Sequence, residues 1–126
     1  MTLHEALWVS LGGILGALSR FGIGQFLARR AESPFPAATL IINCTGSFVI
    51  GFFLVWITER AFADPRWRLF VAVGFCGAYT TFSSYAFETL KLAEQGFYGL
   101  AICNVLGNNF AALAAVVLGA ALARAL

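Results

Sequence analysis

Four stretches of this chain carry almost no charge: residues 6–28, broken only by Arg20, then 37–58, 69–87 and 96–123. They run to 23, 22, 19 and 28 residues, and about 20 apolar residues rising about 1.5 Å each match a hydrocarbon core about 30 Å thick. A typical soluble domain carries about 25% charged residues, whereas this chain has 11%, with 60% hydrophobic. The expected fold is therefore an all-α integral membrane protein, one transmembrane domain over residues 1–126 with helices at about 6–28, 37–58, 67–93 and 96–123. The first run is expected to be a retained helix rather than a signal peptide. No basic residue precedes it, it exceeds the usual apolar signal core, and no small-x-small cleavage site closes it.

Short connections at 29–36, 59–68 and 88–95, punctuated by Pro34, Pro36 and Pro65, leave no room for a soluble domain. Catalysis has little to work with. The sequence has no Gly-rich phosphate loop, no metal-spaced His/Cys set and no Ser-His-Asp arrangement, and its single histidine, His4, lies outside the runs. None of the runs contains the His, Asp or Glu that an intramembrane protease or a proton pump needs at depth. Basic residues are few and scattered, which argues against nucleic-acid binding. Cys44, Cys76 and Cys103 sit inside apolar runs without a CxxC motif and are expected to pack as small hydrophobes.

Four crossings put both termini and the second connection on one side of the membrane. That side holds Arg60, Arg66, Arg68 and Arg124; the other holds Arg29, Arg30 and Lys91, with Arg20 as a fourth if it snorkels that way. Orientation follows an excess of Lys/Arg on the cytoplasmic side, so a near tie makes both orientations available. A chain inserting both ways can pair with its inverted twin as an antiparallel, dual-topology homodimer with a pseudo-symmetric site near the midplane. Small residues support close helix contacts: Gly12 with Gly16, Ser47 with Gly51, and the ladder Gly107, Ala111, Ala115 and Gly119. Whether these faces meet within one subunit or between two is left open.

Polar side chains mark the informative faces. Thr39, Asn43 and Ser47 recur four residues apart on the second helix, and Asn104 and Asn108 do so on the fourth. Such stripes either join helices or line a wet path, since a buried amide is costly without a partner. The third run, Gly74-Phe75-Cys76-Gly77-Ala78-Tyr79-Thr80-Thr81-Phe82-Ser83-Ser84-Tyr85, is a poor continuous helix. A break at Gly77–Thr80 frees carbonyls near the bilayer centre for protein, water or a hard cation; the alternative is a simple kink. Beyond it Phe82 and Tyr85 nearly share a face, with Thr81, Ser84 and Glu88 on the neighbouring strip. Ring edges are electropositive and hydroxyls donate, so an anion can pass between them without a fixed charge to trap it; the alternative is core packing.

Taken together these residues resemble the Fluc fluoride channels, also called the CrcB family, over nearly the whole chain. The likeness is carried by Gly12-Gly13-Ile14-Leu15-Gly16-Ala17-Leu18-Ser19-Arg20, by Thr39-Leu40-Ile41-Ile42-Asn43 with Gly46 and Gly51, by Gly74-x-x-Gly77-x-x-Thr80-Thr81-Phe82-Ser83, and by the small-residue fourth helix. The resemblance implies a passive fluoride-selective channel of microbial plasma membranes that exports cytoplasmic fluoride, built as an antiparallel dimer around a central, non-transported Na⁺. By matching, it gives the Na⁺ carbonyl ligands as Gly77 and Thr80, the anion-contacting rings as Phe82 and the position of Tyr85, and the second-helix asparagine as Asn43 with Thr39 on its face. Thr81 and Ser84 belong to the hydroxyl cluster, Arg20 to the aqueous vestibule, and Asn104 and Asn108 to the fourth-helix pore positions.

The sequence departs from the family pattern at Tyr85, where a second phenylalanine is usual, at Ala78, a frequent glycine, and at Asn104 and Asn108, often Tyr, Ser or His. Two other classes share four helices in a short chain. A small dual-topology drug antiporter needs a membrane-embedded carboxylate, for which Glu88 at the end of the third run is the nearest candidate; a non-conducting membrane scaffold predicts no ion flux.

Overall fold

The computed structural model describes residues 1–60 and 64–126; residues 61–63, within the second connection, lie outside the described set. Four helical segments are long and apolar enough to cross a membrane: Leu3–Ala28, Ala37–Glu59, Pro65–Glu94 and Tyr98–Ala125. The first two are α1 and α2. The third consists of α3 (65–79) and α4 (Phe82–Glu94), and the fourth is α5.

The ends follow local chemistry. Helix α1 starts at Leu3, outside the uncharged run, because Thr2 and Glu5 form a reciprocal cap: Thr2 Oγ1 accepts from the Glu5 N–H at 3.2 Å and Glu5 Oε2 from the Thr2 N–H at 2.7 Å. At its other end Arg30 donates to the Phe26 carbonyl at 3.2 Å and lies over the Phe26 ring, a cation where the helix dipole is negative. Helix α4 closes on Gly96, at φ 83°, with Gly96 N–H donating to Ala93 O at 3.0 Å and Phe97 N–H to Leu92 O at 2.8 Å. Hydrogen bonding is π-type over Arg68–Cys76 and Gly107–Ala111.

Glycines answer the question of which faces meet. A Cβ on Gly12 or Gly16 would strike the main chain of Phe70 or Phe75, and one on Gly74 would lie 2.6 Å from Val9 O, so α1 and α3 pack backbone to backbone within one subunit. Gly51 against Val116 and Gly119 against Phe48 do the same for α2 and α5. At one end of the bundle Glu59 Oε1 meets Arg124 Nε at 3.0 Å; at the other Pro36 and Lys91 border a common groove.

Exposure is the reverse of a soluble protein's. Large apolar residues such as Phe21 and Phe110 stand 68% exposed, whereas Asn104 is fully buried at 0%. Of the cysteines only Cys76 is buried; Cys44 is half-buried and Cys103 exposed, so the expected packing holds for one of three.

Candidate functional site

Thr80 and Thr81 leave helical geometry, at φ −78°, ψ 156° and φ −149°, ψ 112°. Gly77, expected from its low propensity to lie in an interruption, is helical at φ −61°, ψ −37°, and the chain turns away three residues later. The cause is on another helix. Asn43 of α2 grips the main chain of Thr81 from both sides, Oδ1 accepting from its N–H at 2.8 Å and Nδ2 donating to its carbonyl at 3.1 Å. In a continuing helix that N–H would donate to the Gly77 carbonyl, which Asn43 therefore releases. Thr80 Oγ1 donates back to Cys76 O at 2.9 Å, and Gly46 makes room on α2, since a Cβ there would strike the Thr80 methyl. Helix α4 restarts with Thr81 Oγ1 accepting from the Ser84 N–H at 3.2 Å.

Two grooves border Thr81. One, of about 490 Å³, gathers Arg20 of α1, Thr39 of α2, and Thr81, Ser84 and Glu88. In it Thr39 Oγ1 donates to Glu88 Oε1 at 2.7 Å, while Glu88 Oε2 is buried with no partner among the described residues. Thr81 Oγ1 donates to Ser84 Oγ at 3.0 Å. The other groove, of about 290 Å³, brings Asn43, Gly77, Thr80, Thr81, Phe82 and Tyr85 together with Asn108. Phe82 and Tyr85 meet edge to face, centroids 5.1 Å apart at 67°. Phe82 is 76% exposed on the single subunit and Tyr85 only 8%.

Sequence-predicted residues thus fall into two sets. Arg20, Thr39 and Ser84 share the first groove, Asn43, Gly77, Thr80, Phe82, Tyr85 and Asn108 the second, and Thr81 joins them. Asn104 lines neither; its Nδ2 donates to Thr89 Oγ1 at 2.9 Å and its Oδ1 accepts from Asn108 Nδ2 at 2.9 Å. The hydroxyl that distinguishes Tyr85 from phenylalanine accepts from Asn109 Nδ2 at 3.2 Å. Sequence reasoning missed Thr89 and Asn109. Thr89 sits one turn beyond Tyr85, where a hydroxyl returns to the i−4 carbonyl, and that spacing was a usable signal.

A profile of the CrcB family, described as CrcB-like protein, Camphor Resistance (CrcB), matches residues 7–120. A protein of Koribacter versatilis named fluoride-specific ion channel FluC is 56% identical over 126 residues, all of both chains. Proteins of the same name from Sulfurihydrogenibium and Solibacter usitatus are 40% and 42% identical, over 98% and 94% of this chain and 100% and 97% of their own.

Proposed function

This chain belongs to the CrcB family, and from that membership we propose that it is a passive, fluoride-selective channel exporting cytoplasmic fluoride across the bacterial plasma membrane. The observation that carries the reading is the position of Thr81 at the border of both grooves. An anion drawn toward Arg20 meets the Thr81 and Ser84 hydroxyls, then the ring edges of Phe82 and Tyr85, with electropositive partners at each stage and no cationic side chain among the described residues that line the ring groove. Small, strongly hydrated fluoride needs such donors more than chloride does.

The working unit in this reading is an antiparallel homodimer. It is supported by the exposure of Phe82 on a single subunit, which a second copy would cover, and by the near tie in basic residues between the two membrane sides. Oxygen donors at the interruption fit a central Na⁺: the Gly77 carbonyl has lost the Thr81 N–H to Asn43, and Thr80 is extended beside it. Gly77 and Thr80 would hold the ion, which would supply a fixed positive charge beside their carbonyl oxygens and would not be transported. Asn43 and Thr39 line the route, and Asn104 and Asn108 support it from α5.

Fluoride efflux from vesicles holding the purified chain, with valinomycin clearing the countercharge, tests the proposal. Fluoride release without chloride release, lost in Phe82→Ile, is expected. Vesicles with verified inserted protein that leak no faster than empty ones would overturn it. The unpartnered Glu88 Oε2 favours a proton-coupled exchanger as the second reading; fluxes that reverse with an imposed pH gradient at zero voltage would select it.

A further inference from the structure

The amide of Asn43 can point only one way, because the main-chain N–H of Thr81 can only donate and lies 2.8 Å from Oδ1. Its Nδ2 therefore donates onward, to Asn108 Oδ1 at 2.8 Å. Asn108 Nδ2 then faces two acceptors of Asn104, the main-chain carbonyl at 3.1 Å and Oδ1 at 2.9 Å. Asn104 Nδ2 donates to Thr89 Oγ1 at 2.9 Å, and the Thr89 hydroxyl donates to the main-chain carbonyl of Tyr85 at 2.8 Å. The run leaves α4 at Thr81, crosses α2 and α5, and returns to α4 at Tyr85. Its two ends are main-chain groups that can play only one part each, and turning any amide over would set donor against donor or acceptor against acceptor.

We infer that Asn43, Asn108, Asn104 and Thr89 form a one-way hydrogen-bond circuit that clamps the first turn of α4 from its cap at Thr81 to Tyr85 and so positions the Phe82 and Tyr85 rings, an inference that rests on the channel reading of those rings. Fixing the main chain at both ends of a turn fixes the Cα–Cβ directions between them. A site that reads a small anion by ring edges needs its rings held to within about 0.5 Å. Asn104 at 0% and Asn108 at 7% exposed sit where water has little access to offer them other partners, while Asn43 and Thr89 are half-buried. Thr89, Asn104 and Asn108 act through the rings as positioning residues.

The test uses the full chain labelled with 3-fluorotyrosine, its Tyr85 ¹⁹F resonance identified by loss in Tyr85→Phe, alongside fluoride efflux from vesicles. Asn108→Ala and Thr89→Val should each shift or split the Tyr85 resonance, leave that of Tyr98 in place, and slow fluoride efflux about fivefold, one hydrogen bond's worth of positioning. Thr89→Ser should match wild type in both readouts. The double variant should be no slower than the slower single one, since cutting one circuit twice costs no more than cutting it once. An unmoved Tyr85 resonance in Thr89→Val, or losses that multiply in the double variant, would overturn the inference. Thr89→Val is close to isosteric and keeps the test alive if Asn108→Ala does not fold. Wild-type vesicles that release no fluoride, with the resonance shifts intact, would uphold the clamp and sink the channel reading instead.

Discussion

Two kinds of seam hold this bundle and they work by opposite means. Where α1 meets α3 and α2 meets α5, glycines bring main chains into direct contact, and no side-chain hydrogen bond is recorded between α1 and α3 among the described residues. Where α2, α4 and α5 meet around Thr81, contact runs through amides and hydroxyls aimed at particular atoms. Lipid tails are as apolar as leucine, so a membrane protein gains little by burying apolar surface between helices. Close approach supplies dispersion in the first seam, and hydrogen bonding supplies direction in the second. The glycine seams set where the helices lie; the polar seam sets what the third span does at Thr80 and Thr81.

The sharpest way to break this contrast is Gly16→Val, whose branched side chain would collide with the Phe75 main chain; a loss of at least about 3 kcal/mol and of monodisperse protein on gel filtration is expected. Gly22→Val on the same helix, where a Cβ meets nothing within 4 Å, should elute as wild type. Asn43→Leu strikes the polar seam. It strands the Thr81 N–H, costing about 1–3 kcal/mol in an unfolding titration, and should abolish fluoride efflux while the protein still elutes as wild type does. Phe82→Ile separates function from stability, since a ring 76% exposed on the subunit contributes little to its fold: efflux falls to that of empty vesicles, with subunit stability within about 0.5 kcal/mol. Glu59→Gln should do least. Its ion pair with Arg124 has both side chains at least half exposed, so a few tenths of a kcal/mol and unchanged efflux are expected.

Legibility in the sequence divided along the same line. The four spans were readable because charge is excluded from hydrocarbon residue by residue, a local rule. The start of α1 at Leu3 was not, since the scan for uncharged residues stops at Glu5, the residue that caps the helix. Low helix propensity drew attention to Gly77, yet Gly77 is helical and Thr80 and Thr81 are not. The deciding group is Asn43, 38 positions earlier, and no local propensity contains it. The four-residue spacing of Asn104 and Asn108 put them on one face correctly, but left open what that face meets: Thr89 and Asn43, 15 and 65 positions away.

Those separations also bear on how the chain is made. Asn43 enters the membrane with the second span, ahead of the third span, which carries its first partner, Thr81, and its second, Asn108, arrives only with the last span. An unpaired amide in hydrocarbon costs roughly 2–7 kcal/mol, so until then the second helix has reason to linger beside water or the insertion machinery rather than settle into lipid. The polar seam closes last, and a ribosome stalled before the fourth span would leave a half-built subunit whose second helix is still seeking a partner.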